Sequence, residues 1–495
     1  MTKNTAIVIG AGPGGACAAM LLAARGWDVT VYEKEAMVGG RNAAMTLGGY
    51  TFDTGPTFLM LPSILEEMFE QAGTTTAAEM ELKRLDPLYR LQFPGVGELD
   101  VTQDRDLMAQ RLEALFPGDG AAYEGFLRSE GRKFRHIFPC LRCAYDKPWH
   151  YLRAPLLRAL PYLDAHRSVY NVIARHFRHE HARLAMTFQA KYLGMSPWTC
   201  PGTFTILPYM EHVDGIYHPV GGLNAISRSM IAVAERKGAA VHLSTPVERM
   251  LIEGGRARGV VLPGGKEHRA DAVFVNADFA HAMRSLVPER HRRRWTDKRI
   301  AAARYSCSTY VLYLGVRGRF DHLPHHTIAF AQDYRANVAD IVEHGRLSDD
   351  FSFYLQNASV TDPTLAPDGC STLYALVPVP NMTAGIDWAV EGPRLRERVI
   401  DAMERRLLGR GIRDAIEAER AMTPADWERS GVHRGAVFNL AHDLGQMLYL
   451  RPRNRFEDIR GCYLVGGGTH PGSGLPTILE SANISARLAS RDAGL

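Results

Sequence analysis

Thr5-Ala-Ile-Val-Ile-Gly10-Ala-Gly12-Pro-Gly14-Gly15 opens a unit that runs on to Arg41. Thr5–Ile9 is a short β-rich run that feeds a glycine turn of the form GxGxxG. Ala16–Arg25, rich in Ala, Leu and Met, reads as a helix, and Asp28-Val-Thr-Val-Tyr32 as a second strand ending at Glu33. Gly10 permits the tight turn, Gly12 lets the backbone approach a pyrophosphate, and Gly15 lets the helix pack close to the strand. Gly14 belongs to the same turn, and the helix N-terminus that follows presents free N–H groups and a positive dipole end to the phosphates. Glu33 is placed to accept hydrogen bonds from a ribose diol. Strand, glycines, helix, strand and acidic residue follow in order, so the segment reads as a Rossmann-type βαβ unit holding a dinucleotide. Gly39-Gly40-Arg41 comes directly after it, and Arg41 is a fixed cation within reach of a phosphate.

A chain of 495 residues is expected to form two or three structural units. Its 46% hydrophobic and 23% charged residues suit a large buried core. A formal charge of +4 is too mild to point to nucleic acid. The seven cysteines (17, 140, 143, 200, 307, 370 and 462) are odd in number and scattered, which fits a reducing compartment better than a disulfide framework. Cys140 and Cys143 form one CxxC with neither a second pair nor a His cluster nearby, and read as a coincidence on a helix. The N-terminus lacks the basic head, apolar stretch and cleavage site of a signal peptide. The uncharged runs Tyr192–Met210 and Gly461–Leu479 are interrupted by prolines and glycines, so neither is expected to span a membrane. The expected location is cytoplasmic, at most peripheral to a membrane.

Beyond Arg41, Gly49–Thr57 reads as strand and turn and Pro62–Ala72 as helix. Residues 80–214 read as helix-rich, broken at Pro117, Pro155, Pro161, Pro197 and Pro201. Asn224–Lys237 reads as helix, followed by strands at Ala240–Leu243, Val247–Ile252, Arg258–Leu262 and Ala272–Asn276. Strands are expected at Thr309–Gly315, Ser352–Leu355 and Ser371–Val379, with a helix at Pro393–Leu408. The chain closes on strand Cys462–Val465, the turn Gly466–Gly468 and helix Ile478–Arg491, a second approach to the cofactor. The expected class is α/β: a Rossmann-type cofactor domain assembled from discontinuous segments (1–80, 215–295 and 441–495), a mixed-sheet substrate domain (296–440), and a helical region (81–214) that faces a membrane and admits substrate.

Several motifs resemble those of bacterial phytoene desaturases and related carotenoid desaturases, within the wider flavin amine oxidase superfamily. They are GAGPGG (10–15), Glu33 with GGR (39–41), YTFDTGPT (50–57), HPVGGL (218–223), NAD (276–278), LPHHT (323–327), VTDPTLAPDG (360–369), LVPVPN (376–381) and YLVGGGTHPGSGLP (463–476). They run over nearly the whole chain, and the last and the TDPTLAPDG–PVPN pair are the most specific. The resemblance implies non-covalent FAD, a long linear polyene substrate such as phytoene or its C30 analogue dehydrosqualene (diapophytoene), and peripheral membrane attachment. Gly40 and Arg41 belong to the extension that such FAD proteins carry. Gly55, Pro56 and Thr57 are expected near the flavin, Val247 at the adenine end, and Gly468 with the Thr477–Ile478 backbone at the isoalloxazine. Quinone or oxygen is implied as electron acceptor.

The reaction itself is less closely fixed. Relatives with nearly the same motifs oxidise a terminal methyl, isomerise or saturate polyenes, and prenyl-binding carriers share the fold. Desaturation passes a hydride to the flavin and loses a proton from the neighbouring carbon, so the protein supplies a dry tunnel and, if needed, a base. Asp53 and His470 are weak base candidates because they lie in motifs expected near the flavin. No Ser-His-Asp pattern or metal-ligand cluster is evident, and His325-His326 reads as a loop pair rather than a metal site. Residues 149–183 hold six Arg and five His among aromatics and leucines, a composition suited to a membrane interface. Arg290–Arg294 with Trp295 reads as a solvated face.

Overall fold

The computed structural model describes residues 3–495. Thr5–Ile9 lies at the centre of a five-stranded parallel sheet, in the order Cys462–Leu464, Ala272–Val275, Thr5–Ile9, Asp28–Tyr32, Ala240–His242. Val8 pairs with Val31 on one side and with Phe274 on the other. As in other parallel sheets, both faces are covered: Ala6 and Val8 join one apolar cluster, Ile7 and Ile9 another. The helix Pro13–Ala24 carries no charge and buries every residue from Gly14 to Ala23. It packs between the helices Asn224–Arg236 and Leu475–Asp492. Full burial of Leu21 and Leu22 there contributes about 1.5–3 kcal/mol each. The opposite face carries an antiparallel meander, Arg249–Glu253, Arg256–Val261 and Glu267–Arg269.

A second sheet has seven strands, in the order Ile416–Met422, Ser308–Arg317, Cys370–Val379, Phe353–Asn357, His326–Ala329, Tyr89–Phe93, Gly97–Val101. It is antiparallel except where His326–Ala329 meets Tyr89–Phe93. Ser308–Arg317 pairs with Cys370–Val379 along its whole length, from Ser308↔Val379 to Arg317↔Cys370. The helix Trp388–Met403 covers one face. Tyr50 and Phe52, from the arm that leaves the first sheet, pack on the other.

The helix-rich reading of 80–214 holds from Arg105 onward, but its first part is strand: Leu82–Arg84, Tyr89–Phe93 and Gly97–Val101. The signal was local. Tyr89, Leu91 and Phe93 are buried while Arg90 and Gln92 are half-buried, a period-two alternation. The helix expected from Pro393 begins earlier, at Trp388, with Asp387 capping it through Ala389 N–H, and Pro393 sits inside it. The His325-His326 pair straddles a strand start: His325 ends the preceding loop, His326 begins a strand opposite Gln356, and both histidines are buried. Arg290–Trp295 is not a uniformly solvated face, since Arg292 and Trp295 are buried and Arg294 pairs with Glu457.

Candidate active site

The expected cofactor residues meet at the C-terminal edge of the parallel sheet, where the N-termini of the first and last long helices converge. Gly10 has φ +91°, and a Cβ there would lie 2.4 Å from the carbonyl oxygen of Asn276. A Cβ on Gly15 would lie 2.0 Å from Gly10 O, and one on Gly14 would lie 2.8 Å from Val465 and 3.0 Å from Ile478. These glycines let two helix starts and the Asn276 turn close on one another. Gly12 is extended backbone at the helix cap, with Gly40 (φ +54°) facing it. Ala11 O accepts from Gly39 N–H at 2.9 Å, which fastens the Gly39–Arg41 arm over the glycine turn.

The Glu33 carboxylate is buried and accepts from Ala11 N–H at 2.7 Å and from Glu35 N–H at 2.9 Å. Those bonds leave lone pairs for a diol at the strand tip. Thr245 N–H donates to Glu33 O, so the segment leading to Val247 runs past this end of the sheet, where Val247 packs on the apolar cluster beneath. Main-chain donors at two helix starts, an acceptor-only carboxylate and a side-chain-free passage fit the pyrophosphate and ribose of FAD.

Arg41 points away from the glycine turn. Its Nη1 donates to Val437 O at 2.5 Å, and the Asn439 amide offers its oxygen at 3.2–3.3 Å while donating to Asp278 at 2.9 Å. Burial pulls the Arg41 guanidinium down from its ordinary value, and Asp278 opposes the shift. A Cβ on Gly55 would lie 2.1 Å from Arg41 O, so Gly55 is the close crossing point of two site segments. Tyr374 donates to Gly55 O at 3.3 Å, Tyr313 to Thr54 O at 2.7 Å, and Tyr354 to Thr57 Oγ1 at 2.8 Å. Pro56 lies between these anchors. The second sheet thereby holds the Gly55–Thr57 turn against the first domain.

The C-terminal turn is braced by Arg451, which is fully buried. Its guanidinium donates to the carbonyls of Gly467 (2.8 Å), Thr469 (3.1 Å), Leu440 (3.3 Å), Ala441 (3.4 Å) and Gln446 (3.4 Å). Burial pulls it down to about 10, with Asp443 opposing. A Cβ on Gly468 would lie 2.6 Å from Phe279 Cβ. Thr477 donates to Gly472 O and Gly474 O, and Ile478 N–H to Gly474 O, at the start of the last helix.

The two base candidates occupy separate surroundings. Asp53 accepts from Leu223 N–H at 2.7 Å. Burial pushes its carboxyl up to about 6, against opposing effects from His218, Leu223 N–H and Gln356. His470 is buried against the edge of Tyr145, its ring nitrogens have no hydrogen-bond partner among the described residues, and burial pulls it down to about 3. An imidazole held that low is a poor proton acceptor at neutral pH.

Three of the quoted motifs converge beside Asp53. His218 Nε2 lies 3.2 Å from Asp362, whose carboxylate also accepts from Gly221 N–H. Burial alone would raise Asp362; the bonds from His218, Thr364 and Gly221 N–H outweigh it and hold it below the usual carboxylate range. His325 packs between His218 and His326, and His326 Nδ1 meets Tyr354 Oη at 2.7 Å. Burial, reinforced by neighbouring histidines, keeps His325 and His326 neutral. Among the described residues no group of side chains is arranged to hold a metal ion. A further buried acid, Glu211, bonds Tyr89 and Gln189 at 2.9 Å each and is raised to about 7 by burial. Asn276, Arg451, Tyr354 and Glu211 were not singled out from the sequence. Asn276 alone had a local signal, as the first residue of the NAD motif.

Residues 14–492 match the family of flavin containing amine oxidoreductases. The chain is 48% identical to a 4,4'-diapophytoene desaturase (4,4'-diapolycopene-forming) of a Methylomonas species, over 98% of this chain and 95% of that one. It is 41% identical to an all-trans-zeta-carotene desaturase of Myxococcus xanthus, over 99% and 93% of the two chains. Putrescine oxidase bound to putrescine shares the fold, at a TM-score of 0.66 and 16% identity over the full length of both chains. The chain therefore belongs to the flavin containing amine oxidoreductase family, in its carotenoid desaturase branch. It is an FAD-dependent oxidoreductase acting on CH–CH bonds.

Proposed function

We propose that the chain desaturates 4,4'-diapophytoene, inserting double bonds stepwise into this linear C30 polyene. The observation that supports this choice over phytoene is the 48% identity to the Methylomonas enzyme across nearly the full length of both chains. Bound FAD supplies the hydride acceptor. The chain's own part is to position and to exclude water. Gly10–Gly15 and the Gly39–Gly40 backbone hold the pyrophosphate, Glu33 the ribose and Val247 the adenine end, while Arg41 braces the loop at Val437 and Asn439 instead of reaching a phosphate. Gly55–Thr57, Gly468 and the Thr477–Ile478 backbone form the isoalloxazine seat, braced by three tyrosines and Arg451. Of the two base candidates Asp53 is the stronger, because a carboxyl near 6 is largely ionised at neutral pH while keeping proton affinity. Residues 81–214 and 296–440 shape the polyene path, and oxygen or a quinone re-oxidises the flavin.

Peripheral membrane attachment belongs to the same reading. Among the described residues no helix is long and apolar enough to cross a membrane. Trp149, Leu152, Leu157 and Leu160 are 47–70% exposed along one short stretch beside Arg153 and Arg158. Rings and leucines next to cations suit the headgroup boundary, where the substrate dissolves.

The test is to load liposomes separately with 4,4'-diapophytoene and phytoene, add FAD-reconstituted protein, and follow visible absorbance and chromatography. New long-wavelength bands from diapophytoene, faster than from phytoene, are expected. A preference for phytoene would overturn the substrate. Oxygenated products without added double bonds would overturn the reaction.

A further inference from the structure

A cavity of about 510 Å³ opens where residues 142–153 meet the last turns of the helix Leu475–Asp492. Six cations line it (Arg142, Lys147, Arg153, Arg455, Arg487 and Arg491) and one carboxylate, Asp146. Two of the six are neutralised. Arg142 pairs with Glu67 and Glu480, and Arg455 with Asp146 and Asp492. Among the described residues, Lys147, Arg153, Arg487 and Arg491 have no carboxylate within ion-pair distance.

Two of these four are already held in place. Arg153 donates to Ala144 O at 2.9 Å and meets His150 Nε2 at 2.9 Å, while Arg487 donates to Arg142 O at 2.9 Å. Carbonyl anchors orient a guanidinium without cancelling its charge, so the free N–H groups remain for an anion. Ile484 and Leu488 give the cavity an apolar floor. At its rim the Lys147 ammonium lies 5.1 Å from the ring of Trp149, which is 60% exposed, and Leu152 nearby is 70% exposed.

Gathering four cations with no ion-pair partner around one hollow that holds a single carboxylate is unfavourable unless an anion fills it. The volume suits a small organic molecule better than a bare phosphate ion, and the apolar rim favours an anion that continues into hydrocarbon. We propose that this cavity binds the phosphate of an anionic phospholipid headgroup, with Trp149 and Leu152 entering the acyl layer beside it. The proposal rests on the membrane reading above and adds the chemistry of the lipid and the residues that recognise it.

The FAD-loaded protein is floated with vesicles of phosphatidylcholine alone and of phosphatidylcholine with phosphatidylglycerol, with and without soluble glycerol 3-phosphate. Two paired charge reversals are compared: Lys147→Glu with Arg491→Glu in the cavity, and Arg258→Glu with Arg410→Glu on the exposed surface away from it. Each cation near an anionic surface contributes about five-fold in affinity. The cavity pair is therefore expected to lose more than ten-fold on phosphatidylglycerol vesicles while keeping its binding to phosphatidylcholine. The outside pair is expected to lose distinctly less. Soluble glycerol 3-phosphate is expected to weaken only the wild-type preference for anionic vesicles.

Equal losses in the two pairs would overturn the cavity and leave a diffuse basic surface. Equal wild-type binding to both vesicles would overturn it while the membrane reading stands. Binding of glycerol 3-phosphate without vesicle binding would assign the cavity to a soluble phosphate and overturn the lipid. Failure to bind any vesicle, with no response to glycerol 3-phosphate, would overturn both readings.

Discussion

Arg451 shows how much one side chain can organise. It reaches five main-chain carbonyls from three loop segments and has no carboxylate in ion-pair contact among the described residues. Arg451→Met fills the same space but strands those acceptors, each at about 1–3 kcal/mol when buried. A loss of about 3 kcal/mol or more in urea unfolding is expected, together with weaker FAD retention by absorbance. Asp53 carries a pH signature. Its folded carboxyl sits near 6, above an unfolded value of about 4, so it favours the folded state at low pH. That contribution is lost as pH rises through 6. Asp53→Asn keeps an acceptor for Leu223 N–H and is expected to gain about 1–3 kcal/mol over wild type at pH 7 and little at pH 4. If Asp53 takes the proton, the same variant loses about 100-fold or more in desaturation rate and its pH profile loses the limb near 6. Gly10, Gly12, Gly15 and Glu33 were readable because their tasks lie within one local motif. Asn276 and Arg451 were not, because each acts on backbone that only folding brings near; Asn276 meets Gly10 across 266 positions of sequence.

Among the elements, the hairpin Tyr89–Phe93/Gly97–Val101 was misread as part of a helical stretch. Its alternation was present, but the helices that follow in the chain drew the whole stretch into one helical reading. It extends the seven-stranded sheet by pairing parallel with His326–Ala329, a partner more than two hundred residues away that nothing local announces. Leu91 is fully buried in this hairpin. Leu91→Glu would place a carboxyl among apolar side chains, and a loss of at least about 3 kcal/mol in unfolding free energy is expected. The first βα turn was legible throughout, and it is unforgiving. Gly15→Ala would put a methyl 2.0 Å from Gly10 O, so the helix Pro13–Ala24 must move off the strand. Flavin content near zero is expected in the purified variant, with far-ultraviolet circular dichroism close to wild type.

At the scale of the whole molecule, two sheets share one cofactor seat, and tyrosines of the second sheet hold the Gly55–Thr57 turn of the first. Ligand binding to such a seat stabilises the whole chain. Added FAD at about one hundred times its dissociation constant is expected to raise unfolding free energy by about 2.7 kcal/mol, read as a shift in the thermal midpoint of apoprotein titrated with FAD. The strand order of the parallel sheet has a further consequence in time. Its centre is made of residues 5–9, yet its edge is made of residues 462–464, and the Gly466–Gly468 turn follows only then. A ribosome adding about 5–20 residues per second needs tens of seconds to travel between them. Throughout that interval the glycine turn of the nascent chain has no floor, and from the synthesis of Ala272–Val275 onward that strand leaves an unpaired edge. Flavin capture is thus an event of late translation or of the released polypeptide, because the seat is complete only when the last strand and turn have been made.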